Sequence, residues 1–232
     1  MRRLARALVG LGVVATLTGI LPILAMRVVP PMTSAFMLQT QWPFASGTAR
    51  CPLIEYDWVP RSRIAPALFR AVVAAEDQRF ARHDGFDFDA IEAALEDRSR
   101  GHARGASTIS QQVAKNLFLW PARSWVRKGA EAWLTIWIEL LWSKPRILEV
   151  YVNVAQFGRC TFGAAAASRR FFGVEASHLD PGQAALLAAV LPNPIGRHAD
   201  APSPKLRARA AWIARQARTI RLDVLFEPEA SH

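Results

Sequence analysis

From Ile64 onward, apolar residues return every third or fourth position, the spacing of helices that bury one face. Ile64, Leu68, Phe69, Val72 and Val73 share such a face, and Glu76 and Asp77 interrupt it. The pattern predicts a second helix over Phe88–Glu96, started by Asp87 or Asp89 as a cap. Ser107 or Thr108 is placed to cap a third, through Ile109, Val113 and Leu117. A long apolar-rich helix is predicted over Arg123–Trp142, and Pro145 suits the first turn of the next, through Ile147, Leu148, Tyr151 and Val152. Ala164–Phe172, Pro181–Leu191 and Pro204–Leu222 add three more. Strand signals are scarce and no repeat is present, so the expected fold is mainly α.

The N-terminal third is organised differently. Arg2, Arg3 and Arg6 precede an uncharged run from Ala7 to Met26, closed by Arg27. Twenty apolar or small residues suffice to cross about 30 Å of hydrocarbon as a helix. A cleaved leader is the competing reading, but the run is long for one and no small-x-small cleavage site precedes Pro30-Pro31. Residues 1–27 therefore read as a cytoplasmic tip and membrane anchor, with the arginine-rich side inside. Residues 28–62, rich in Pro and Trp and lacking a sustained period, read as an irregular connector, and residues 63–232 as the exported domain. The segment Ala132–Trp142 is apolar enough to suggest a second span, but it is too short and carries Glu139. A buried core helix and a helix partly immersed at the bilayer surface both remain open.

Charge narrows the partners. The chain carries 29 basic and 19 acidic residues. Removing residues 1–27 takes away four arginines and no acids, so 25 basic residues still face 19 acidic ones. A basic domain beside a membrane points to anionic or phosphorylated lipids. Export argues against nucleic acid. Only Cys51 and Cys160 are present; an oxidising compartment permits a bond between them, and two free thiols fit the sequence equally. No Cys/His spacing suits zinc.

Three polar strings stand out: Glu76–Gly85, Ala103–Asn116 and Arg127–Glu131. A carboxylate part-buried at a helix end, as Glu76 would be, has the raised pKa that suits an acid or base near neutrality. The plainer reading pairs it with Arg79 or Arg82; Asp77 is a similar candidate. His83 and Gly85 suit a turn, with His83 hydrogen-bonded inside. Glu131, at helical spacing from Arg127 and Lys128, is either an ordinary surface ion pair or part of a phosphate site. Gln111, Gln112, Lys115 and Asn116 cannot all point into one apolar core, and beside Ser107 and Thr108 they favour a ligand-facing surface over a merely solvated one.

The blocks EDQRFARHDGFD, RGASTISQQVAKNLFLW, RSWVRKGAEA, KPRILEVYVN and AALLAAVLPNP together resemble the peptidoglycan glycosyltransferase family. That family includes the polymerase domains of bifunctional penicillin-binding proteins, and the likeness, over roughly residues 50–220, is to its monofunctional biosynthetic type. The resemblance implies a lysozyme-like helical domain with a small membrane-dipping subregion. It implies polymerisation of lipid II: the 4-hydroxyl of lipid II attacks the anomeric carbon of the lipid-linked chain, inverting it to a β-1,4 linkage and releasing undecaprenyl pyrophosphate. Glu76 matches the general base and Glu131 the second glutamate, near the leaving pyrophosphate. Lys115 and Arg127 match the cations that bind that pyrophosphate, and Ser107, Gln111, Gln112 and Asn116 match polar cleft positions. A divalent cation such as Mg is a candidate cofactor with no legible ligand set. Cell-wall synthases or division proteins are candidate partners, and the inner membrane with a periplasmic catalytic domain is the implied location.

The chain departs from the family pattern at Phe157–Phe162, where Arg159 and Cys160 replace an acidic residue and a glycine. That puts the local loop shape in question. Glu149 and Tyr151 read as structural, with Glu149 paired to Arg146. Two readings compete with the polymerase. A lytic enzyme that cuts glycan strands would also use two carboxylates, though it has no pyrophosphate to bind. A non-catalytic scaffold would bind without turnover.

Overall fold

The computed structural model describes residues 19–41, 51–100, 105–121 and 124–226. The expected anchor lies largely outside these. Among the described residues no helix is long and apolar enough to cross a membrane.

The helices expected from periodicity are present, together with two short ones, the first and the last of the series, that were not expected. They are α1 (Ala35–Gln41), α2 (Pro66–Glu76), α3 (Phe88–Ser99), α4 (Ile109–Phe118), α5 (Trp125–Leu141), α6 (Lys144–Val154), α7 (Ala164–Phe172), α8 (Pro181–Val190), α9 (Pro204–Ala217) and the short α10 (Asp223–Phe226). Local chemistry sets their ends. Pro occupies the first turn of α2, α6, α8 and α9, where its missing N–H has no intrahelical partner to lose. Of the two cap candidates for α4 it is Thr108 that caps, in a reciprocal box with Gln111. Asp87 accepts from Ala90 N at the start of α3, and Ser124 accepts from Arg127 N at the start of α5.

Two helix groups build the core. In one, α8 packs against both α2 and α9; in the other, α4 packs against α5 and α6. The buried face of α2 is the predicted one, with Leu68, Phe69, Val72 and Val73 covered. Burial stabilises by about 1.5–3 kcal/mol for each such side chain. Because α2 ends at the seam between the groups, Glu76 emerges there.

The connector is more ordered than its sequence suggests. It holds α1 and a two-residue strand, β1 (Glu55–Tyr56), paired in parallel with β2 (Thr161–Phe162). Cys51 and Cys160 form a disulfide across 109 residues, with Cα atoms 5.6 Å apart. It lies beside the strand pair and staples the connector to the loop at Arg159-Cys160. Replacing both cysteines by serine should lower stability by about 2–4 kcal/mol, or the melting temperature by roughly 5–15 °C. Thermal denaturation of the variant checks this; an unchanged melting temperature would show that the bond constrains little.

The described end of the N-terminal run is also seated. Residues 19–26 are helical. Trp142 Nε1 donates to Ile23 O at 2.7 Å, and the Arg146 guanidinium donates to Met26 O and Val29 O. A cation on the last carbonyls of a helix is well placed. The apolar Ala132–Trp142 segment turns one face inward, through Leu134, Thr135, Ile138 and Trp142, while Ile136 and Leu140 stay exposed. Its Glu139 is neutralised by Lys144 and accepts from Ser110.

Candidate active site

Glu76 is the last residue of α2. Its Oε2 accepts from Gln112 Nε2 at 2.9 Å, while Oε1 is closed off from solvent with no hydrogen-bond partner. The plainer pairing is not seen: among the described residues no ion pair joins Glu76 to Arg79 or Arg82, and Arg79 pairs with Asp87 and Asp89. Burial pushes the Glu76 carboxyl above its ordinary 4.5; the Gln112 hydrogen bond and the charges of Arg209 and Lys115 pull the other way. The result is a carboxylate held in place on one oxygen and uncommitted on the other.

The next residue is a joint. Asp77 is buried, accepts from Ile109 N at 3.0 Å and lies 3.0 Å from His83 Nε2. It thereby satisfies an otherwise orphaned N–H at the start of α4 and fastens that start to the end of α2. Gly85, at φ +90, completes the turn against Thr135, and its carbonyl accepts from Thr108 Oγ1. Asp77 and His83 thus act in the architecture, as does Gly85.

From α4, neighbouring glutamines take different roles. Gln112 reaches Glu76, and its own Oε1 accepts from the buried Tyr151 hydroxyl at 3.0 Å. Gln111 is buried and accepts from Thr108 N, so its amide closes the helix cap. The cleft position expected for Gln111 is corrected on that ground: its carbonyl is turned back to the helix start. Asn116 is partly buried, one turn after Gln112.

Lys115 lies between the two glutamates: its ammonium feels the charges of Glu131 and Glu76 as well as those of Arg127 and Lys128. Burial, the largest influence, lowers its pKa. No acid pairs with it among the described residues. Its Nζ sits 5.7 Å from the Phe36 ring of α1, a favourable cation–π placement that the sequence did not reveal. Gln39 holds α1 there by donating to Leu119 O at 2.9 Å.

Glu131 is not a surface charge. Its side chain is 4% exposed, and both oxygens are engaged, one by Arg127 and one by Lys128. With Lys115 this makes three cations around one carboxylate. Among the described residues no cluster of three His, Cys, Asp or Glu could hold a metal. Glu131, with both oxygens occupied by cations, does not fit as a ligand for a resident divalent ion.

A cleft of about 380 Å³ opens beside Glu76, lined also by Asp77, Asp87, Asp89, Ser107 and Trp212. Lys115, Arg127 and Glu131 do not line this cavity; they are joined to Glu76 through α4 and the electrostatics of Lys115.

The transglycosylase family model matches residues 52–218, beginning inside the segment read as connector. Curated relatives named biosynthetic peptidoglycan transglycosylase align along most of their length. The one from Xylella fastidiosa strain M23 is 48% identical over 93% of this chain and 89% of its own. That from Klebsiella oxytoca is 55% identical over 83% and 81%, and that from Pseudomonas putida strain W619 is 51% identical over 93% and 90%. On both grounds, the chain belongs to the transglycosylase family.

Proposed function

We propose that the chain is a peptidoglycan glycan-strand polymerase that transfers the lipid-linked growing chain onto the 4-hydroxyl of lipid II. The observation that carries this reading is the desolvated Lys115 ammonium between Glu76, which keeps one oxygen uncommitted, and the buried Glu131 cluster. Glu76 takes the proton of the attacking hydroxyl. Lys115, Arg127 and Lys128 neutralise the charge that grows on the departing diphosphate, and Glu131 holds Arg127 and Lys128 in position for it. Direct displacement inverts the anomeric carbon and needs no enzyme nucleophile. Ser107 and Asn116 line the substrate path, and Gln112 orients the base.

The substrate is a membrane lipid, so we place the catalytic domain on the periplasmic face of the inner membrane, with residues 1–27 as its anchor and 63–232 as the catalytic domain. The seating of residues 19–26 on Trp142 and Arg146 supports a fixed distance between anchor and cleft. Exposed Ile136 and Leu140 suit contact with the bilayer surface.

Incubating the detergent-solubilised full chain with labelled lipid II should give a polymer that lysozyme digests. Soluble fragments released from purified sacculi, with no polymer from lipid II, would favour a lytic enzyme instead. A finer test addresses Gln112. Tyr151→Phe removes the hydroxyl that fixes the Gln112 amide, so turnover should fall about 2- to 10-fold, the worth of one neutral hydrogen bond. Steady-state polymerisation rates measure it, and a change in KM alone would place Tyr151 in substrate binding rather than in orienting the base.

A further inference from the structure

The Lys115 ammonium is held differently from the cations near it. Arg127 and Lys128 each meet an oxygen of Glu131, whereas the partner of Lys115 is the Phe36 ring, its centre 5.7 Å from Nζ. The two kinds of partner have opposite consequences for an incoming anion. A carboxylate neutralises a cation, and a diphosphate must then compete with it. An aromatic face attracts the ammonium through its quadrupole but brings no net charge. N–H donors turned away from the ring stay available to phosphate oxygens.

The ring comes from outside the domain that the family model bounds. Phe36 lies on α1, ahead of residues 52–218. Several ties register α1 against the turn that bears Lys115. Gln39 Nε2 donates to Leu119 O at 2.9 Å, and Leu119 N donates in turn to Lys115 O at 3.0 Å. Met37 is buried in the core, and its N–H is accepted by Ser34 Oγ at the start of α1. At the other end Cys51 N donates to Thr40 O at 3.1 Å, and Cys51 is itself fixed by its bond to Cys160. A helix of 7 residues does not hold itself in water. These ties, rather than helix propensity, set where the ring stands.

We propose that Phe36 is a positioning residue for the donor, its ring holding the Lys115 ammonium in place without neutralising it, so that the segment ahead of the family domain completes the donor site. The proposal rests on the polymerase reading, in which Lys115 meets the donor's diphosphate.

The test uses the full chain in detergent, first with a preformed lipid-linked glycan as the varied donor and then with lipid II as the varied acceptor. Phe36→Leu keeps an apolar side chain and removes the ring face. The donor KM should rise about 2- to 5-fold, the worth of a cation–π contact at a partly exposed site, with the acceptor KM in place. Phe36→Tyr keeps the ring and should restore the donor KM. Gln39→Leu cuts the tie to Leu119 with the ring intact and should act in the same direction as Phe36→Leu. An unchanged donor KM in Phe36→Leu overturns the proposal. An equal rise in both KM values, or a tyrosine variant no better than leucine, overturns it too, since Phe36 would then only support the fold. In the Lys115→Met background, Phe36→Leu should cost no further donor affinity; a further loss there would put the ring against the donor itself and overturn the route through Lys115. A wild-type chain that makes no polymer from lipid II overturns the polymerase reading, before any variant is compared.

Discussion

Glu76→Gln should lower glycan synthesis from lipid II by at least about 10²-fold, the lower end of what a positioned base contributes, with the fold intact. The amide keeps the shape and can still meet Gln112, but it cannot take a proton. In the wild type the acid limb of the pH–rate profile should fall above the ordinary carboxylate range, because burial raises the Glu76 pKa and the base works only when ionised. Stability should respond in the opposite sense to activity. A carboxyl whose folded pKa lies above its unfolded value contributes stability below the unfolded value and loses it as pH rises through the folded one. At neutral pH the buried charge is therefore a liability. Glu76→Gln should melt at or above the wild-type temperature there, with the difference closing as pH falls toward 4.5. Polymerisation assays and melting curves on the same preparations read both effects. Full activity in the variant would remove Glu76 from the role of base.

How far the sequence could go is visible in particular residues. Helix ends were legible where local chemistry was read, at Thr108 and Pro145, whereas the cap Ser124 was passed over and its helix was expected to start at Arg123. The buried face of α2 was legible because four apolar positions repeat at one period. Gln111 and Gln112 were not separable, since adjacent helix positions differ by about 100° and only packing decides which faces the seam. The connector hid its structure because α1 and β1 are too short to show a period; the Cys51–Cys160 bond, the parallel β2 partner and the Gln39 contact hold them. Phe36 beside Lys115 was invisible for the same reason. Glu131 was ambiguous because an i, i+4 pair looks the same on a surface as in a core. Arg79 was plausible as a partner of Glu76 until Asp87 and Asp89 proved to take it. Arg209, far along the chain on a helix rich in arginine, had nothing in its sequence context to tie it to Glu76.

Lys115→Met should reduce kcat/KM for polymerisation by about 10²- to 10³-fold, the loss expected when one partner of a desolvated charge pair is removed. The reason is specific to its place. Arg127 and Lys128 already meet Glu131, whereas the Lys115 ammonium is withdrawn from water, has no paired acid among the described residues and lies between both glutamates. An ammonium kept charged against burial gains most when a diphosphate arrives, so the loss should appear in donor binding as well as in turnover. Lys115→Arg keeps the charge but replaces a point donor with a planar fork, and partial activity is expected. The methionine variant should not lose stability, because it relieves a desolvated charge beside the Phe36 ring. A melting temperature that drops in step with activity would mean that Lys115 supports the fold. Unaltered donor affinity in a stable Lys115→Met protein would move the diphosphate site away from the seam between α2 and α4.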